Sequence, residues 1–170
     1  GIAASRLLFV SGGRVYRIDS DGVDLLPLTP AGQTSLSPSW SADGRQFAYT
    51  QLGEGRGVVA IQDLSTGALS PVPGTQSGLN ITPAFSPDGK TIAYAHSDET
   101  GTDIFTANYA DRCCAQRLTV GRYADNLSAT FSPDGRRIAF VSTRAGPPQV
   151  YVMAADGTGV PDTLARGALA

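Results

Sequence analysis

The residues best suited to chemistry are few and unevenly spread. Asp43, Asp88 and Asp134 recur in one local context, Ser-Xaa-Asp-Gly. Paired carboxylates do general acid–base work when their environments push their pKa values apart. Here the environment is repeated, which points the other way. In Ser-Pro-Asp-Gly the proline fixes φ at the first corner of a tight turn, the aspartate bonds its own backbone, and the glycine accepts a positive φ. The three aspartates are read as turn residues. Asp19-Ser20-Asp21-Gly22-Val23-Asp24 has a superficial likeness to a calcium loop, but it lacks the third alternate acidic ligand before glycine and the distant glutamate of the full loop. No metal site and no cofactor are expected.

Nucleophilic catalysis has little to build on. The chain has one histidine, His96, and no Gly-Xaa-Ser-Xaa-Gly elbow. His96 falls at the end of a strand-like segment where the repeat described below accepts any polar residue, and it is read as a surface or rim histidine. No catalytic residue is assigned. Cys113 and Cys114 are adjacent. A disulfide between sequence neighbours closes a strained ring, and a metal site wants wider spacing with further ligands nearby. Two thiols without a specific role are expected, near the surface in a turn leading to a strand; a vicinal disulfide or a bond to a partner stays open. Arg112, Arg117 and Arg122 lie around them among Asp111 and Asp125, and read as a solvated face.

A repeat sets these positions. Ser41, Ser86 and Ser132 open turns 45 and 46 residues apart, preceded by Trp40, Phe85 and Phe131. Strand-like segments lead into the turns (Leu36–Trp40, Ile81–Phe85, Leu127–Phe131) and out of them (Phe47–Gln51, Ile92–His96, Arg137–Ser142), the latter with an aromatic at one fixed place. A third strand recurs as Val58–Ile61, Ile104–Ala107 and Val150–Met153. Thirteen residues past Val59, Phe105 and Tyr151 lie Val72, Leu118 and Leu164, which anchor fourth strands over Leu69–Val72, Gln116–Val120 and Thr163–Ala165. The N-terminal part holds only Leu7–Val10, Val15–Ile18 and Leu28 of the pattern.

A period of roughly 40 to 50 residues with four short strands per unit marks a β-propeller, each unit one blade. A blade has apolar surface on both faces and buries it only by stacking on its neighbours, which assigns the recurring aromatics to an inter-blade core. Twenty glycines and eleven prolines between short β-branched and aromatic runs agree with the many tight turns this needs. The expected fold is all-β: a β-propeller or partial propeller of about four blades of four antiparallel strands, the first lacking its innermost strand. It is a single domain, with blades at approximately 1–30, 31–75, 76–121 and 122–170.

Aligning the blades on Trp40, Phe85 and Phe131 brings Ser35, Asn80 and Asn126 together, and two residues on, Ser37, Thr82 and Ser128. Innermost strands line the channel, and period-two alternation puts both sets on one side of their strands. These six residues form the candidate site, a polar channel rim able to bind a peptide. The alternative is a set of small polar residues where strands converge on a water-filled axis.

Phe131–Gly157, FSPDGRRIAFVSTRAGPPQVYVMAADG, resembles the WD40-like PD40 repeat of TolB-type propellers. Ser86–Tyr94 carries the first half of that motif, and Ser41–Tyr49 carries it with Ala42 in place of proline. The resemblance implies a non-catalytic protein-interaction scaffold of the bacterial cell envelope, periplasmic or otherwise exported. It would dock partner proteins through one face and its channel mouth, or serve as an accessory subunit on a membrane protein complex. The alternative is a propeller domain gating or supporting a hydrolase or peptidase, whose triad would lie in a separate α/β domain. A net charge of −2 leaves no electrostatic footprint for nucleic acid, and no apolar run approaches a transmembrane segment. The next inner strand is expected about nine residues past Leu164, judged from Leu118 to Leu127, and Ala170 precedes it. Either four blades close with an imperfect seam, or they are consecutive blades of a larger ring; the resemblance favours the larger ring.

Overall fold

The computed structural model describes residues 5–121 and 123–163, which form fifteen strands and no helix. β1 (Arg6–Ser11), β2 (Arg14–Asp19) and β3 (Leu26–Pro27) make a three-stranded antiparallel sheet. β4 (Thr34–Trp40), β5 (Gln46–Gly53), β6 (Arg56–Asp63) and β7 (Leu69–Pro71) form a meander. So do β8 (Leu79–Phe85), β9 (Thr91–Asp98), β10 (Gly101–Asn108) and β11 (Cys113–Arg117). One parallel bridge, Gly57 to Leu79, joins the two meanders at an edge. β12 (Asn126–Phe131), β13 (Arg137–Ser142), β14 (Gln149–Ala154) and β15 (Asp162–Thr163) form the last sheet. The architecture is a partial β-propeller in which β4 packs on β1 and β2, β8 on β4 to β6, and β12 on β8 to β10.

The Ser-Xaa-Asp-Gly turns tie the first two strands of three blades. Each serine hydroxyl donates to its aspartate, at 2.7 Å in Ser41 and 2.6 Å in Ser132, and accepts the amide five residues on, from Gln46, Thr91 or Arg137. The carboxylate also accepts an amide two residues on, from Arg45, Lys90 or Arg136. Ala42 replaces proline without changing this network, because none of its bonds uses the second residue.

Burial follows the stacking. One core lies between the first sheet and β4–β6 (Val15, Phe47, Tyr49, Ala60), one between the two meanders (Ile61, Val72, Ile92, Tyr94), and one against the last sheet (Ile104, Ile138, Phe140, Tyr151). Cross-strand aromatics stack within blades: Phe9 on Tyr16, Tyr94 on Phe105 and Phe140 on Tyr151, with centroids 5.5, 5.9 and 6.1 Å apart. Tyr49 faces Ala60 instead. That pairing makes Val59–Gln62 the equivalent of Ile104–Ala107, one residue later than the sequence periodicity suggests. With no aromatic in Val58-Val59-Ala60-Ile61, nothing in the apolar run marks its register.

Of the fourth strands, β7 begins at Leu69 as expected, whereas β11 begins at Cys113 and not Gln116, and β15 at Asp162 and not Thr163. The anchor residues keep their role just past the strand ends: the amides of Leu28, Val72 and Leu118 donate to the carbonyls of Val15, Val59 and Ile104, each at 2.8 Å. Leu164 and Ala165 lie outside the described residues.

All three inner strands share a β-bulge. Ser37 and Pro38 together face Tyr49, Thr82 and Pro83 face Tyr94, and Ser128 and Ala129 face Phe140. The first residue of each pair is left-handed, with φ of 51°, 52° and 55°. This backbone suits a short polar residue and disfavours a β-branched one, a cost that Thr82 carries in β8. Ser128→Val is therefore expected to destabilise by about 1–2 kcal/mol although the side chain is exposed, against the near-zero effect of an ordinary surface change. Equilibrium urea unfolding measures this, and a cost within about 0.5 kcal/mol would refute the bulge as a constraint.

The turn donors also favour the charged form of their carboxylates. Asp43, Asp88 and Asp134 are held below the usual carboxylate range, Asp43 chiefly by the Arg45 amide and the other two chiefly by the Ser86 and Ser132 hydroxyls. Asp63 is lowered furthest, to about 2, first by the Ser65 hydroxyl and then by the Thr66 amide. A depressed folded-state pKa gives stability that is complete above the unfolded value and lost as pH falls through the folded one. Asp63→Asn should flatten the acid limb of the stability curve between 3.8 and about 2 and leave its slope near neutrality alone. Acid titration followed by circular dichroism tests this; an unaltered acid limb would contradict it.

Candidate functional site

Ser35, Asn80 and Asn126 stand at equivalent points near the starts of β4, β8 and β12, all fully buried. The Asn80 amide nitrogen points at three carbonyl oxygens, those of Gly57 (2.8 Å), Thr75 (3.1 Å) and Ser77 (2.8 Å). Carbonyls only accept, so the amide orientation is fixed and its oxygen faces His96 Nδ1 at 2.8 Å. That ring nitrogen must carry the hydrogen. Asn126 repeats the arrangement: its nitrogen donates to the Thr102 carbonyl and to Asp103 Oδ1, each at 3.1 Å, and its oxygen accepts from Arg144 Nη2 at 3.0 Å. In both cases the inner strand reaches the strand two places earlier in the chain. At the first seam only the backbone crosses, Ser35 N donating at 2.7 Å to the carbonyl of Gly13 in the turn just before β2. The Ser35 hydroxyl finds no partner among the described residues.

Close approach dictates the residue on the receiving side. A Cβ on Gly57 would stand 2.8 Å from Leu79 Cδ1 and 3.0 Å from the Asn80 carbonyl oxygen, so the crossing requires glycine there.

The second half of the expected rim is separated from the first. Ser37, Thr82 and Ser128 are the first residues of the bulges, and there Ser37 and Ser128 are exposed and Thr82 half-buried while Ser35, Asn80 and Asn126 point inward. Period-two alternation fails because the second set lies in the bulge itself, where the left-handed backbone turns each side chain off the alternating direction.

Three other expectations change. His96 is a packed residue, its side chain 16% exposed, held by Asn80 and edge-on to Phe105 at 5.2 Å. Arg117 leaves the solvated face to pair with the buried Asp103, whose carboxylate also accepts from Thr119 Oγ1 (2.6 Å) and the Gly121 amide (3.1 Å). A buried carboxylate needs such partners, and Arg117 is the cation in reach. Cys113 and Cys114 are bonded to each other and do not stand as two thiols; a bulge in β11 accommodates them. Arg122 lies outside the described residues. Asp103 escaped sequence reasoning, although a lone acid beside Ile104-Phe105 in a strand is the sort of signal that demands a buried partner.

Arg144 packs its guanidinium over the rings of Tyr151 (4.8 Å) and Phe140 (5.3 Å) while bonding Asn126. Asn80, His96, Asp103 and Asn126 are thus engaged with partners inside the protein, and the arrangement holds sheets together rather than presenting a reacting centre. Among the described residues no group of three His, Cys, Asp or Glu side chains could hold a metal ion.

Residues 3–168 match the family model of the TolB beta propeller domain. The chain belongs to this family. It is 36% identical over 156 residues to the Protein TolB homolog of Chlorobium luteolum, a match covering 89% of this chain and 35% of that protein. It is 34% identical over 153 residues to the Tol-Pal system protein TolB of Francisella tularensis subsp. holarctica, covering 85% and 34%. The crystal structure of TolB from Acinetobacter baumannii matches with a TM-score of 0.77 at 31% identity, over 89% of this chain and 37% of that one. The chain thus spans about a third of the length of the curated TolB relatives it matches.

In this TolB-family blade stack the asparagines are the polar test of cohesion. Asn80→Ala leaves three carbonyls and the His96 N–H without their partner, and is expected to lower stability by about 3 kcal/mol. Ser35→Ala removes a hydroxyl with no partner among the described residues and is expected to cost less than about 1 kcal/mol. Denaturant unfolding of both variants decides; equal costs would remove the asparagine as a staple.

Proposed function

We propose that the chain is a non-catalytic protein-interaction scaffold of the bacterial cell envelope, exported to the periplasm. There it docks partner proteins or serves as an accessory subunit of a membrane-associated complex. The observation that carries this reading is its 34% identity to a protein named for the Tol-Pal system. Two features of the site support it. His96, the one histidine, is held by Asn80 and packed on Phe105, which leaves it badly placed for proton transfer to a substrate. The connection between β11 and β12 presents Val120 and Tyr123, 80% and 99% exposed, beside a shallow pocket of about 290 Å³ that Thr143 and Arg144 also line.

Tyrosine and arginine are the side chains that most often anchor protein interfaces. In this reading Tyr123 and Arg144 make the first contacts, and the exposed Ser37 and Ser128 supply hydrogen bonds at the channel rim, whereas the Thr82 hydroxyl is buried behind it. Ser35, Asn80 and Asn126 act behind them as supports. No helix among the described residues is long and apolar enough to cross a membrane.

The test is calorimetric titration of the chain with the Pal component of its own Tol-Pal system. A stoichiometric complex is expected, with Tyr123→Ala weakening it at least about tenfold. Absence of any complex would sink the docking reading. Hydrolysis of a peptide or ester by the chain, abolished in His96→Ala, would replace it with an enzymatic one.

A further inference from the structure

The Cys113–Cys114 bond does none of the work a structural disulfide does. A cross-link stabilises chiefly through the loop it closes, and a bond between neighbours closes none. Nor does it join two elements, because both cysteines begin the same strand, β11. Its place is chemical access. Cys114 is exposed and Cys113 half-buried, and β11 is the edge strand of its sheet, paired on one side only, with β10. The backbone there is held in an unusual shape: Arg112 and Cys114 both have left-handed φ, 51° and 65°, and Cys114 and Ala115 together face Ala107 in a bulge. Such conformations persist only where something over-determines them, and the covalent ring is the constraint present at this point.

We propose that Cys113–Cys114 is a site of reversible thiol–disulfide exchange with an external dithiol of the disulfide-oxidoreductase class, and that reduction loosens the start of β11. A thiolate of the dithiol attacks the exposed Cys114 sulfur and forms a mixed disulfide. The electron pair of the broken bond passes to the Cys113 sulfur, which takes up a proton. The second thiol of the dithiol then displaces the Cys114 sulfur, which is protonated in turn. The protein has gained two electrons and two protons, and the dithiol has become a disulfide. Farther along the same chain Arg117 and Thr119 grip Asp103, so β11 stays anchored at its end while its start is released.

The chain has only these two cysteines, which makes the test unambiguous. Protein prepared without reductant is denatured and alkylated, and its intact mass is compared with that of protein first treated, while folded, with a small dithiol. No alkyl group is expected before treatment and two after it. Hydrogen exchange at the amides of residues 108–115 is expected to rise at least about tenfold on reduction and to return on reoxidation. The double variant Cys113→Ser/Cys114→Ser should show the faster exchange without any reductant, separating loss of the bond from effects of the reagent. Alkylation before reduction would overturn the proposal, as would a bond that yields only in denaturant. Unchanged exchange in both the reduced protein and the double variant would overturn it too.

Discussion

One crossing hydrogen bond governs how the sheets of this molecule meet. At each seam a residue near the start of an inner strand reaches a carbonyl in or just before the strand two places back: Ser35 to Gly13, Asn80 to Gly57, Asn126 to Thr102. Hydrophobic burial drives stacking but does not choose a register, because apolar attraction is non-directional. A buried amide is directional, and left unpaired it costs about 1–3 kcal/mol, so only one sliding position of one blade on the next is tolerated. The aromatic stacks and the bulges then fall into place around that position.

The bulges follow from the same convergence. An inner strand must bend around the axis, and an extra residue opposite the aromatic of the second strand provides the bend. Tyr49, Tyr94 and Phe140, each nearly fully buried, sit opposite the widened segment. The price of that fit is a left-handed residue at Ser37, Thr82 and Ser128, and the functional result is a division of labour. Residues before the bulge turn inward and hold the seam; Ser37 and Ser128 at the bulge are left free to face solvent or a partner.

What the sequence made legible was whatever the repeat states more than once. The strand segments, the turns at Asp43, Asp88 and Asp134 and the stacked aromatics recur at fixed offsets, and local turn chemistry fixes them with little help from elsewhere. The slip at Val58–Ile61 shows the limit: a uniformly apolar run carries no register, and only pairing with β5 sets it. The bulges were invisible because alternation counts residues, whereas a bulge changes the count without changing the pattern. His96, Asp103 and Arg117 were misjudged or missed for a third reason. Each appears once, and its partner comes from another strand or blade, so no offset within the repeat announces it.

The seams differ in strength, and the difference has a direction. At the first, the crossing is a single backbone bond, the Ser35 hydroxyl has no partner among the described residues, and the buried apolar cluster is the smallest of the three. At the second, Asn80 satisfies three carbonyls and is itself held by His96. At the third, Asn126 joins the buried carboxylate of the Asp103–Arg117 ion pair and a guanidinium that stacks on two rings. In a stack where each unit touches only its neighbours, stability is close to a sum of unit and interface terms, so opening begins at the weakest interface. That interface is the one between β1–β3 and the rest. The charged third seam is also the one that Arg144 and Asp103 connect to the exposed connection around Tyr123, through Thr143 on one side and Gly121 on the other. The most firmly held seam therefore underlies the surface proposed for docking, as recognition on a rigid support requires.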